Sequence, residues 1–269
     1  MTDSTKITDW TAIYRADCAP PPGHRLDDLV ADAARALGDP DPEVRDGYPY
    51  AVLATWIERG VIDRDRRLAL GDLMAERFTD PRIEARTFAA LVLEMIVRGG
   101  DLRPAWVEAF AAWYRSETDL RGLDATLGWL HAVAHGADLL AACGLRPEVD
   151  PGPLLALAAE RLLTPTDHLF AQREDDRLAK ALALVLTRPD LTAERSTAWL
   201  APVGTALAGR EPGPMPAWAS NTVRTLRALY VAADLGVSAK RDGRRAPLAH
   251  ADAVKARLAE VLDPVFPYS

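Results

Sequence analysis

Apolar residues recur along the chain at spacings of three and four, the period of a helix that buries one face. This pattern predicts helices over about 26–37, 42–59, 64–78, 82–98, 104–115, 120–142, 153–163, 175–186, 193–208, 217–235 and 248–262. Runs of β-branched residues alternating with polar ones are absent, so no strand is expected. Helix breakers fall between the periodic segments: Gly38-Asp39-Pro40-Asp41-Pro42, Asp80-Pro81, Gly99-Gly100, 147–153, Arg188-Pro189, 209–216 and Asp242-Gly243. Several place a polar capping residue just before a proline, and proline tolerates the first helical position because its missing N–H would have no partner there.

A second period lies above the helical one. Asp39-Pro40-Asp41-Pro42-Glu43-Val44-Arg45 opens one predicted helix and Asp80-Pro81-Arg82-Ile83-Glu84-Ala85-Arg86 another. Arginines near helix starts continue at Arg121, Arg177 and Arg224, with successive spacings of 41, 35, 56 and 47 residues. Periods near 40–47 residues belong to HEAT and armadillo helical pairs. The expected fold is therefore all-α: a HEAT/armadillo-like α-solenoid of about five degenerate helical pairs. Residues 24–269 form a single α-helical repeat domain in this reading. Residues 1–23, ending in Pro20-Pro21-Pro22-Gly23, form an N-terminal tail or a short docked helix.

Composition narrows the function classes. The 269 residues are 49% apolar and 26% charged, which suits a folded globular chain. The net charge of -7 argues against nucleic-acid binding and against an anionic membrane surface. No apolar run is long enough to span a bilayer, and residues 1–14 lack the apolar core of a secretory signal, so the expected location is cytoplasmic. Cys18 and Cys143 make neither a disulfide framework nor a zinc knuckle. Only four of the 32 basic residues are lysine, and with abundant alanine this points to a GC-rich bacterial genome.

Two histidines carry the candidate chemistry. His131 and His135 stand four apart on the predicted 120–142 helix, and Asp138 follows three later. At about 100° per residue the three project within roughly 60° of one another. Two imidazoles one turn apart with a carboxylate form a half-site for a divalent metal, the possible cofactor here. Residue 132 is alanine, so the His-Glu-x-x-His metalloprotease pattern is absent. The same residues also suit a metal-free ligand pocket, or a buried polar network that holds helices together. Acids and arginines at Glu117, Asp119, Arg121, Glu174, Asp175 and Arg177 complete the candidate binding groove.

Four segments, taken in order, resemble the bacterial family DUF2785: Arg86-Thr87-Phe88-Ala89-Ala90-Leu91, Glu117-Thr118-Asp119-Leu120-Arg121-Gly122, the stretch 128–140 with its His131-Ala132-Val133-Ala134-His135-Gly136-Ala137-Asp138 core, and Glu174-Asp175-Asp176-Arg177-Leu178-Ala179. Arg45-Asp46, Trp56-Ile57, Asn221 and Leu229-Tyr230 fit the same pattern, so the resemblance runs over about 26–235. It implies no activity, since the family is named for an unknown one. The expected function is a helical-repeat binding protein, with a concave polar groove for a small ligand, a peptide or a partner protein. The alternative is a metal-dependent or acid/base enzyme centred on His131, His135 and Asp138.

Overall fold

The computed structural model describes residues 8–211, 213–239 and 244–265. It is mostly helical, with one two-stranded antiparallel hairpin. Chain contacts divide it into two compact units, Met1–Phe110 with Leu123–Leu130 and Ala111–Gly122 with His131–Ser269.

In the first unit, α1 (Trp10–Arg15) and α2 (Leu26–Ala36) pack on α4 (Pro49–Glu58). The one-turn α3 (Pro42–Arg45) precedes α4. The expected single helix over 42–59 is broken there, because Asp46 and Gly47 leave the helical path before Pro49 restarts it. α4 packs on α6 (Ile83–Arg98), which also holds α5 (Arg64–Arg77). α7 (Pro104–Ser116) begins in this unit. Trp106 lies flat on Gly71, where any Cβ would overlap the indole, and its Nε1 donates to Asp72 at 2.7 Å.

The Asp-Pro segments fold alike. Arg45 Nη1 donates to Asp39 O at 2.9 Å and Pro40 O at 3.4 Å; Arg86 Nη1 donates to Asp80 O at 2.8 Å and Pro81 O at 3.0 Å. In both, the guanidinium satisfies carbonyls that the proline turn leaves outside a helix. Arg45 is wholly buried, sits over the Phe88 ring, and also reaches Leu127 O. That carbonyl belongs to the hairpin of β1 (Leu123–Asp124) and β2 (Gly128–Trp129). Gly128 has φ +71°, and a Cβ there would meet Asp46 and Pro42, so the turn requires glycine. The hairpin corrects the expectation of a continuous helix over 120–142: a helical apolar period and a short, tightly turned hairpin read alike over so few residues.

In the second unit, α8 (Ala132–Gly144) packs on α10 (Glu174–Val185), and α10 on α13 (Ala217–Leu235). α9 (Pro151–Leu163) lies against α8, α10, α13 and α12 (Leu200–Ala208). α14 (Ala251–Leu262) covers α11 (Ala193–Thr197), α12 and α13. The expected 193–208 helix is divided into α11 and α12. Gly136 allows α8 to rest directly on the Tyr114 ring, and Gly144 sits against Val185.

One interaction recurs at a fixed interval. Arg82 Nη1 donates to Gly38 O, Arg161 Nη1 to Glu117 O, and Arg188 Nη1 to Gly144 O, each across 44 residues. Arg77 reaches Ala34 O across 43. Each arginine brings its charge to carbonyls at or just beyond the C-terminus of an earlier helix, where the helix dipole is negative and the last carbonyls lack partners. Arg188 is buried and also donates to Arg146 O at 2.9 Å and Val149 O at 2.6 Å. Arg188→Ala removes the donor for three carbonyls and should cost about 2–4 kcal/mol. Arg195→Ala, which removes an exposed pair with Asp150, should cost less than about 1 kcal/mol. Urea titrations of the two variants check this ordering, and equal losses would refute the capping role.

Candidate functional site

The site is built around the opening turn of α10. There Asp175 Oδ2 pairs with Arg224, from the middle of α13, at 2.6 Å, and Arg177 makes a two-point ion pair with Asp138, from the middle of α8. Polar side chains of three helices thus meet beside the start of α10.

α8 and α10 begin in the same unusual way. His131 (φ 53°) and Arg173 (φ 66°) both adopt the left-handed conformation just before the first helical residue. For a side chain with a Cβ this costs about 1–2 kcal/mol. At His131 it reverses the chain as it leaves the hairpin: His131 N donates to Arg121 O at 3.2 Å and Gly122 O at 3.3 Å, and His131 O accepts from His135 N at 2.8 Å. The structure thus corrects the position of His131, which precedes α8 instead of lying within a helix. The two imidazoles are still neighbours, with ring centres 5.6 Å apart and planes inclined by 56°.

Glu174, the first residue of α10, is fully buried. Its Oε1 lies 3.5 Å from His131 Nδ1, an ion-pair distance without hydrogen-bond alignment, and its Oε2 accepts from Gln172 N at 2.8 Å. Gly122 packs directly on Oε1, and a Cβ there would overlap the carboxylate. Burial pushes the Glu174 pKa up; the adjoining His131 ring and backbone N–H donors, Gln172 among them, more than offset it, so the net shift is below the ordinary 4.5. The carboxylate is held ionised in a place where an unpartnered charge would be costly.

The loop before the hairpin is stapled to itself. Glu117 Oε1 accepts from Thr118 N and Asp119 N, both at 3.0 Å, and Oε2 from Trp113 Nε1 at 2.8 Å. Asp119 grips Arg121 through Nε at 2.8 Å and Nη2 at 2.5 Å. Glu117, Asp119 and Arg121 are joined through the Arg121 O–His131 N bond to His131, which meets His135 and Glu174; Asp138–Arg177 and Asp175–Arg224 are separate ion pairs. A metal centre fits them poorly, because the Asp138 carboxylate is turned to Arg177. Among the described residues, no three His, Cys, Asp or Glu side chains are placed to hold a metal ion.

Three members were not among the expected site residues. Asn221, buried in α13, accepts from Phe170 N and donates to His168 O, both at 2.9 Å, fixing the approach to α10 as a strand partner would. Arg224 bonds Phe170 O at 2.9 Å as well as Asp175. Arg161 supports the array from behind, donating to Tyr114 O at 3.0 Å and Glu117 O at 2.7 Å. An arginine next to Glu160 in the otherwise apolar 154–163 segment was the available signal for it. Cys143 is excluded as a nucleophile, since burial pushes its thiol up to about 12.

Ionised Glu174 favours the folded state above pH 4.5, and that contribution is lost as the pH falls from 4.5 through the lower folded value. The wild type should therefore lose stability more steeply than Glu174→Gln between about pH 5 and about pH 3. Denaturation midpoints across this range check it; parallel profiles would show that the carboxylate is not held ionised.

A family model described as "Protein of unknown function (DUF2785)" matches residues 75–231, more than half of the chain, and the chain belongs to that family. No curated protein and no solved structure matches it. No helix of the described residues is long and apolar enough to cross a membrane.

Proposed function

We propose that this DUF2785 member is a HEAT-like helical-repeat binding protein whose ligand seats on the polar groove at the start of α10, beside α8 and α13. The repeat reading is supported by the 44-residue interval of the arginine-to-carbonyl bonds, which occurs within each unit. It is supported also by the matched geometry of Arg45 and Arg86 on their Asp-Pro turns. A HEAT pair sets an outer helix against an inner one, and the packing of α9 on α8, α10 and α13 is compatible with an outer position.

One observation carries the binding reading. Arg121, Arg177 and Arg224 each keep 42% of their side-chain surface exposed while an acid fixes one edge. Oriented guanidinium groups of this kind lose little freedom when a ligand arrives, which favours carboxylate- or phosphate-bearing small molecules and peptide termini. The ligand class is a small molecule, a peptide or a partner protein presenting such a group.

A second reading is favoured by the His131–Glu174 pair. A carboxylate beside one imidazole nitrogen is an arrangement that orients histidine for acid–base chemistry. The two readings separate in one experiment. Untagged protein is screened by thermal shift against amino acids, dicarboxylates, phosphate esters and divalent metal ions. Binding predicts a compound that raises the melting temperature of wild type but not of Arg177→Ala or Arg224→Ala. A response to divalent ions, lost in His131→Ala, would move the assignment to the enzyme reading. A screen without any arginine-dependent response would refute the groove.

A further inference from the structure

We propose that the shallow groove between the first half of α10 and the C-terminal half of α13 is a self-association surface, closed by a second copy of this chain. The groove encloses about 410 Å³; it adjoins the proposed ligand site at Asp176 but shares no residue with it. Its wall on α13 is the stripe Ala228, Val231, Ala232 and Leu235, spaced three, one and three apart and thus on one helical face. Val231 is 55% exposed and Leu235 56%, far from the usual state of large aliphatic residues clustered on a helix. Ala179 of α10 forms the floor.

The stripe complements itself. If a second copy lies antiparallel, Leu235 of one chain meets Ala228 of the other, and Val231 meets Ala232. Each large side chain faces a small one, as ridges fit grooves. A two-fold interface requires such self-complementarity, since the same patch serves both sides.

The rim charges argue for the same occupant. Asp176 and Lys180 stand one turn apart on α10, and Arg245 lies across the groove. Among the described residues Lys180 and Arg245 have no acid partner, while Asp176 meets only the exposed Arg173, at 3.1 Å. An antiparallel copy brings the basic Lys180 and Arg245 of one rim toward Asp176 of the other, and the two-fold repeats the contact. A single-signed partner would match only part of this rim.

The test is sedimentation velocity on the full chain over a concentration series. The expected result is a reversible species of twice the chain mass, abolished by Val231→Asp with Leu235→Asp. Both positions are more than half exposed, and the variant's far-UV circular dichroism should match wild type. Lys180→Asp should raise the dimer dissociation constant by about tenfold or more, and adding Asp176→Lys in the same chain should restore it, because the exchanged charges pair again across the two-fold. Failure of that rescue, a wild type that stays monomeric throughout, or a dimer that survives the double aspartate variant would each overturn the proposal.

Discussion

The bond from a buried arginine to a helix-end carbonyl is the constraint on which this structure depends. Every helix leaves its last carbonyls without partners in its own ladder, and at the ends of α2, α7 and α8 an arginine serves them. A guanidinium answers the problem well: it is planar, permanently charged and able to serve several carbonyls at once, as Arg188 does for three. Lysine offers a compact, strongly hydrated ammonium that is dearer to bury. The preponderance of arginine therefore has a structural use here, whatever base composition contributed to it.

Arg161 shows how far this goes. It is 2% exposed, it faces carbonyls and the Tyr114 ring, and burial pulls its pKa below the ordinary arginine value. Its Nε and Nη2 donate to none of the described residues. Such a group is tolerated because the alternative, an unsatisfied helix end beneath Glu117, would loosen the loop that presents Asp119 and Arg121. The rigidity of the polar array thus comes from the layer behind it. The arginines at the surface are aimed by acids, and the acids are held by backbone donors and buried cations.

The sequence made much of this legible. The two Asp-Pro-x-x-x-x-Arg segments fold alike, as their matching residues implied, because the fold-back of Arg45 and Arg86 onto the turn carbonyls is local. Glu174, Asp175 and Arg177 could be placed at a helix start from the sequence for a related reason: charged residues ahead of an apolar periodic segment have few places to go. The hairpin was not legible. Its strands are two residues each, their pairing is fixed by Arg45 and Asp46 from some 80 positions away, and no local pattern encodes that. Arg224 was read as a repeat marker and Asn221 as part of the family pattern, but their function as clamps on the 168–170 backbone depends on α13 lying beside α10.

The hairpin also explains the backbone of His131. A helix running from residue 120 would carry His131 and His135 on one stripe at no conformational cost. Inserting eight residues between Gly122 and His131 forces the chain to turn back sharply, and the turn falls on a residue with a Cβ instead of a glycine. Asparagine or glycine would do this at lower cost. The structure accepts about 1–2 kcal/mol to keep an imidazole there, beside a buried carboxylate and against a glycine that leaves room for that carboxylate. Strain carried by a residue that a simpler one could replace is a mark of use. At His131 the ring stands beside Glu174 and 5.6 Å from the ring of His135, a placement that helix packing alone would not demand.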